Sequence, residues 1–271
     1  MNSGDFDFLA NLVKSRSGLI LTADKSYLLE SRLVPLARRH GMQGLDELAQ
    51  GLRRKFDEKL AAEVTDAMTT NESLFFRDMK PFDQFRDIVL PKMLATRADR
   101  KAVRIWSAAC SSGQEPYSLA ILLNELGSKI AGWRFEIIAT DISTEMVTRA
   151  SEGVYSQFEV QRGLPIQMLV KYFKQDGNRW LIDAALKRMI NFREFNLLGD
   201  PAALGSFDVI FCRNVLIYFD QPTKTKVLAG MAKQLRPDGY LYLGGAETVI
   251  GISDKFEPVP GQRGIYQKTG T

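Results

Sequence analysis

The chain has 271 residues, 45% of them hydrophobic and 25% charged, with a formal net charge of +4. That length fits one large domain or two small ones, and the composition excludes disordered, collagen-like and coiled-coil classes. The longest purely apolar runs are five residues, as at 119–123, against roughly 20 needed to span a bilayer. The start MNSGDFDF is acidic where a secretory signal is basic and then apolar, so a soluble, cytosolic protein without membrane insertion is expected.

The first 68 residues predict helices only, at 6–13, 27–41, 45–54 and 57–68. Leu28, Leu29, Leu33 and Leu36, and again Leu60, Val64 and Met68, recur at helical spacing and form apolar stripes that pack one helix on its neighbours. Pro35 is expected to kink the second helix or restart it. The single histidine, His40, closes the string Arg38-Arg39-His40-Gly41, where a basic last turn followed by Gly marks a helix C-terminus. Histidine-dependent triads and histidine-ligated metals are therefore not expected. Cys110 and Cys212 lie far apart in apolar stretches, which fits reduced thiols and supplies no metal cluster.

The string Thr69-Thr70-Asn71-Glu72-Ser73-Leu74-Phe75-Phe76-Arg77-Asp78 leaves the helical region. Thr69 with Glu72 three residues on satisfies a capping-box pattern, but a helix cap does not explain a polar run ending at an Arg beside two Phe. Charge is also uneven. Residues 1–66 carry ten basic and ten acidic side chains, whereas 77–104 carry eight basic and four acidic. Such a patch suits a solvated helix face, an acidic protein surface, a nucleic-acid backbone or a membrane face.

From residue 103 short β-rich runs alternate with helical stretches, the signature of βαβ units and a parallel sheet. Strands are predicted at 103–106, 135–139, 207–212 and 240–243, the last following the turn Pro237-Asp238-Gly239. Glu115-Pro116 announces the helix after the first strand. Between about 154 and 195 the rhythm breaks, with a hairpin expected at Asp176-Gly177-Asn178 ahead of the alternating Trp180-Leu181-Ile182. The expected organisation is a helical domain at 1–70, a connecting segment at 71–102 contributing to the active site, and an α/β domain at 103–271 with an inserted β subdomain.

In open α/β sheets ligands sit beyond the carboxyl ends of the strands. After the first strand, Ser107-Ala108-Ala109-Cys110-Ser111-Ser112-Gly113 is a run of small side chains that suits either a nucleotide or a tight turn. It has one glycine and so lacks the dinucleotide fingerprint. Asp141 follows the second strand, where its two oxygens can accept both hydroxyls of a ribose or cap the helix starting near Thr144. After the third, Arg213-Asn214-Val215-Leu216-Ile217-Tyr218 mixes polar and large apolar groups, fitting a reacting centre or plain helix packing.

Taken in order, TTNESLFFRD, AACSSGQEPYSLA, ATDIS, FNLL, FDVIFCRNVLIYFD and LRPDGYLYLGGAE resemble the motifs of the bacterial chemoreceptor glutamate methyltransferases, the CheR family. The likeness covers most of the chain. It implies an all-α N-terminal domain followed by a Rossmann-like S-adenosylmethionine-dependent methyltransferase sheet with a small antiparallel β subdomain. It implies methyl esterification of glutamates on the cytoplasmic helical bundle of chemoreceptors, releasing S-adenosylhomocysteine, at or near receptor arrays.

By the same resemblance, Asn71, Ser73, Arg77, Ala108, Glu115, Asp141, Asn196, Leu197, Arg213 and Asn214 would bind the cofactor, and Arg77 with Tyr218 would orient the substrate. Two departures stand out. Gln114 replaces an acidic residue common before the Glu-Pro pair. The loop 174–179 is shorter than in members that grip a tethering receptor peptide, so no such tether is expected.

The chemistry agrees with the composition. A glutamate with a reference pKa near 4.3 is already ionised at neutral pH, so attack on a sulfonium methyl needs alignment and desolvation rather than a base. Basic residues Arg32, Arg38, Arg39 and 53–55 are candidate docking groups for acidic helices. The rival readings are a methyltransferase of the same fold acting on nucleic acid or a small molecule, and a non-catalytic S-adenosylmethionine-binding module. Base amino-methylating enzymes commonly carry an Asn-Pro-Pro-aromatic motif where this chain has Arg213-Asn214-Val215-Leu216, so nucleic acid is not the expected partner.

Overall fold

A computed structural model describes residues 2–270. The chain forms two compact units. One comprises the residues up to Thr70 together with Tyr218–Lys224, and the other comprises Asn71–Ile217 with the chain from Thr225 onward.

The first unit contains α1 (Ser3–Ser17), α2 (Ser26–Arg39), α3 (Leu45–Arg54) and α4 (Glu58–Met68). Asn2 caps α1 by accepting the Asp5 N–H at 2.8 Å, and Asp57 caps α4 by accepting that of Leu60 at 3.1 Å. Leu9, Val13, Leu29, Leu33, Leu36, Leu48, Leu52 and Val64 are buried in one core. Helix α2 runs through Pro35 without stopping or restarting. The proline costs about 3 kcal/mol, whereas burying Leu29, Leu33 and Leu36 contributes roughly 1.5–3 kcal/mol each, so a continuous stripe wins. His40 is the C-terminal cap residue of α2, its Nε2 lying 2.8 Å from Glu63.

Two of the candidate docking cations are committed internally. Arg32 donates to the carbonyls of Met68 and Thr69 at 2.7 and 2.8 Å, and Arg53 pairs at 2.6 Å with the buried Asp5. The stretch Tyr218–Lys224 joins this unit through Ile20 N–H donating to the Tyr218 carbonyl at 3.0 Å and through Lys14 on Asp220 at 2.8 Å. The Lys14 ammonium holds the Asp220 carboxyl well below the usual carboxylate range.

The second unit opens with α5 (Lys80–Gln84) and α6 (Leu90–Thr96), followed by β1 (Ala102–Ala108), α7 (Gln114–Leu126), β2 (Arg134–Asp141) and α8 (Thr144–Glu152). There follow β3 (Val154–Ser156), α9 (Gln157–Gln161), α10 (Ile166–Tyr172), β4 (Phe173–Asp176), β5 (Arg179–Ile182), α11 (Ala184–Lys187) and β6 (Ile190–Glu194). The chain continues through β7 (Phe207–Cys212), α12 (Gln221–Gln234), β8 (Leu235–Leu243), β9 (Phe256–Pro258) and β10 (Ile265–Lys268). The main sheet has the order β6-β2-β1-β7-β8-β10-β9, parallel from β6 to β8 and antiparallel beyond, and β3-β5-β4 make a separate antiparallel sheet. Every residue of β7 is buried, as a central parallel strand covered on both faces requires.

Three features depart from the sequence expectation. Residues 190–194 rejoin the main sheet beside β2 instead of closing the insertion. INFRE has only one apolar face, as suits an edge strand, and so lacks the continuous apolar run of a buried one. The turn Pro237-Asp238-Gly239 is absorbed into β8 as an irregularity, the register jumping from Phe207–Leu235 to Val209–Tyr240. The antiparallel strands β9 and β10 are too short to read locally.

Half of the eight basic residues at 77–104 are paired within the chain. Asp208, 1% exposed, takes Arg97 at 2.9 Å and Arg100 at 2.5 Å, and its other oxygen accepts the Arg104 N–H at 2.8 Å. Arg97 also reaches Asp238 at 2.5 Å, Arg104 pairs with Glu136 at 2.7 Å, and Arg86 with Asp83 and Asp87. Three of the eight, Arg97, Arg100 and Arg104, thus form a clamp tying the end of α6 to β1, β7 and β8. Among the described residues no helix is long and apolar enough to cross a membrane. Removing Asp208 leaves Arg97 to Asp238 alone and takes the acceptor from the Arg104 N–H, so Asp208→Ala is expected to cost about 1–3 kcal/mol in urea unfolding; an unchanged midpoint would return Asp208 to the class of ordinary surface pairs.

Candidate active site

Backbone strain marks the site. Seven described non-glycine residues have positive φ, and six of them, Phe76, Asp78, Met79, Ala109, Ser111 and Asn214, lie in or beside the three strings singled out at the strand ends and at the unit's start. Such conformations cost of order 1–3 kcal/mol each and persist where surrounding contacts over-determine them.

Those contacts are visible for the segment 71–79. Phe75 and Phe76 are buried on different partners, Phe75 edge-on to Tyr155 at 5.0 Å and Phe173 at 5.5 Å, Phe76 against Phe82 at 5.3 Å. The Phe76 N–H donates to Ser118 Oγ at 2.8 Å, and Ser111 Oγ donates to the Asn71 carbonyl at 2.6 Å. Gly163 lets the segment pass, since a Cβ there would sit 2.0 Å from the Phe75 carbonyl oxygen. The capping box is not formed. Thr69 ends α4, and Glu72 pairs with Arg162 at 2.8 Å. Ser73 and Arg77 are half-buried, and Arg77 donates to the Glu72 carbonyl at 3.2 Å.

Beyond β1, Ala108 is fully buried and the chain turns through left-handed Ala109, Ser111 and Gly113 into α7. Glu115, in the first turn of α7, accepts from Ser107 Oγ at 2.8 Å and from Arg213 at 3.1 Å. Arg213, its side chain only 2% exposed, also donates to the Arg77 carbonyl at 3.0 Å and to Asp78 at 2.8 Å. One guanidinium thus ties α7 to the linking segment from the end of β7.

Asp141 ends β2. Its two oxygens accept the N–H groups of Ser111 at 2.7 Å and Ser143 at 3.0 Å. Helix α8 is capped by Ser143, which accepts from Met146 at 3.2 Å, so Asp141 orders two loops rather than acting as the cap. Asn196 and Leu197 are half-buried just after β6, where the Phe195 N–H reaches the Asp141 carbonyl at 2.8 Å.

Of the residues named from sequence, Asn71, Ala108, Glu115, Asp141, Asn196, Arg213 and Asn214 are joined by these contacts or flank them, together with Ser73, Arg77 and Leu197. Tyr218 belongs by its packing to the helical unit, where it lies partly buried on that unit's core. The thiols of Cys110 and Cys212 are pushed well up, first by burial and then by neighbouring carboxylates, Asp141 and Glu115 for the former, Glu247 and Glu115 for the latter. Neither is suited to act as a nucleophile near neutral pH.

Glu247 went unnoticed as a site residue. It is 9% exposed and accepts four backbone N–H groups, those of Asn214 at 2.8 Å, Val215 at 2.9 Å, Ile217 at 3.3 Å and Gly244 at 2.6 Å. It therefore sets the path of the loop after β7. A Glu ending a Gly-Gly-Ala loop reads locally as solvated, and only the sheet brings it to a segment some 30 residues earlier. Because a glutamine would turn NH₂ donors toward N–H donors, Glu247→Gln is expected to lose about 1.5–3 kcal/mol in urea unfolding; an unchanged midpoint would show that the loop holds itself.

Two family models match the chain: the CheR methyltransferase all-alpha domain over residues 4–69, and the CheR methyltransferase SAM-binding domain over 71–265. A chemotaxis protein methyltransferase, Cher2, of Pseudomonas putida is 39% identical over 98% of this chain and 99% of its own. Chemotaxis protein methyltransferase 1 of Pseudomonas aeruginosa is 40% identical over 98% of both chains, and that of Vibrio cholerae 42% over 94% of this chain and 93% of its own.

Proposed function

The chain belongs to the CheR methyltransferase family, and from that premise we propose that it methyl-esterifies glutamate side chains on the cytoplasmic helical bundle of chemoreceptors, in the cytoplasm, with S-adenosylmethionine as donor. The observation that carries the reading is the convergence on Arg213 of Glu115, Asp78 and the Arg77 carbonyl beyond the carboxyl ends of the strands.

The residues fit the cofactor. Among the described residues the buried Nε of Arg213 has no hydrogen-bond partner, a donor left over for a ligand. A carboxylate offers about four lone-pair sites, so an Asp141 oriented by two N–H groups is compatible with a ribose diol. Glu115 would hold the cationic amino group, Asn196 and Leu197 the adenine, and Asn71, Ser73, Ala108 and Asn214 the remaining walls. S-adenosylmethionine supplies, when bound, a methyl group made electrophilic by its sulfonium.

The work left to the protein is positional. The acceptor glutamate is ionised at neutral pH, so Arg77 needs only to steer the carboxylate without quenching its attacking oxygen, and Tyr218 is proposed to share that task through its hydroxyl. A drier site favours the step because opposite charges cancel as it proceeds. The reading assigns binding and transfer to residues 71–102 and 103–271, and expects no tethering peptide at the short turn between β4 and β5.

Labelled S-adenosylmethionine incubated with membranes containing chemoreceptors is expected to give alkali-labile label released as methanol. Label stable to alkali would favour a base or amine product instead. In that assay a folded Arg77→Ala protein should lose at least about tenfold in turnover, about 1.4 kcal/mol, and full activity would strike Arg77 from the list. Asp141→Ala should weaken cofactor binding in calorimetry by at least about tenfold, about 1.4 kcal/mol; parental affinity would confine Asp141 to ordering its two loops.

A further inference from the structure

A cavity of about 630 Å³ opens beyond the carboxyl ends of β7 and β8, lined by Arg213, the loop after β8, the start of α5 and the turn into β10. Its volume falls in the range of ligand sites, yet none of the residues assigned to the cofactor except Arg213 lines it. Arg213 is therefore shared, one terminal nitrogen of its guanidinium donating to Glu115 at 3.1 Å and the other to Asp78, a cavity residue, at 2.8 Å.

The ionisable groups of this cavity do not cancel. Asp78 is held by Arg213, and both oxygens of Glu247 are occupied by backbone N–H groups. Lys80 and Arg263 are exposed at the cavity, and among the described residues neither has a carboxylate within ion-pair distance. Beside them stand Tyr266 and Ile250, the latter 69% exposed. A cleft with surplus positive charge and apolar walls favours an anionic, partly apolar segment.

We propose that this cavity seats the acceptor protein beside the glutamate being methylated, a flanking carboxylate of that protein pairing with Lys80 and Arg263 while an apolar neighbour packs on Ile250 and Tyr266. This rests on the glutamate-methylation reading and adds to it where the acceptor lies. Binding here puts the acceptor at the Asp78 nitrogen of Arg213 while the other nitrogen holds Glu115, so the cofactor site and the acceptor site share one buried cation and are otherwise built from different residues.

Two variants test it without touching the cofactor residues. Lys80→Glu with Arg263→Glu reverses the exposed charges. Gly245→Phe fills the cavity, because a Cβ at Gly245 meets no atom within 4 Å and its backbone is not left-handed. Each is assayed with labelled S-adenosylmethionine on chemoreceptor-containing membranes, alongside calorimetry of S-adenosylhomocysteine. Cofactor affinity is expected within about twofold of the parent, with kcat/KM for the receptor down at least about tenfold, about 1.4 kcal/mol. For the charge-reversal pair the loss should lie in KM and be largest at low salt. Parental kcat/KM in both variants overturns the proposal, as does an equal fall in cofactor affinity, which would give the cavity to the cofactor. If the parent itself leaves no alkali-labile label on those membranes, the glutamate reading fails and this one with it.

Discussion

A guanidinium with 2% of its side chain exposed cannot stay in the interior unless its charge is matched and its donors are used. Arg213 meets that requirement by drawing in Glu115 from α7 and Asp78 with the Arg77 carbonyl from the linking segment. The segment 71–79 forms neither helix nor strand, so its course is decided by where its side chains and carbonyls are anchored. Phe75 and Phe76 anchor it on the apolar side and Arg213 on the polar side. The left-handed turns at Phe76, Asp78 and Met79 are held by these anchors.

The same logic with the sign reversed governs the other loops. Asp141 and Glu247 are buried carboxylates that between them accept six backbone N–H groups, four of them from segments some 30 residues away. Charge-assisted hydrogen bonds of this kind are about twice as strong as neutral ones, and they order stretches that no helix or strand would order. The parallel strands supply a rigid apolar base, and three buried ions shape what stands on its rim.

That division suits a reaction whose demands are geometric. Both thiols are held protonated by burial and by the nearby carboxylates, and the one histidine is engaged with Glu63 at a helix end. The groups concentrated at the strand ends are anions, cations and backbone amides set in place before any ligand arrives, the kind of preorganised polar surroundings that align an ionised acceptor with an electrophile.

Much of this was legible in the amino-acid order. The helical stripes around Leu33 and Val64, the central strand at 207–212, the hairpin at Gly177 and the residues Glu115, Asp141 and Arg213 follow from periodicity, from turn chemistry and from strings long enough to resemble a family. Local pattern carries such features because apolar spacing and turn residues act over a few positions. Other features were decided only in three dimensions. The edge strand β6 and the closing pair β9 and β10 have one-sided or short patterns that become strands only against an existing sheet. Glu247, the pairing of the basic run with Asp208, the engagement of Arg32 and Arg53, and the packing of Tyr218 with the helical unit depend on partners tens to hundreds of residues away, and a buried charge takes whichever partner the fold brings within hydrogen-bond reach.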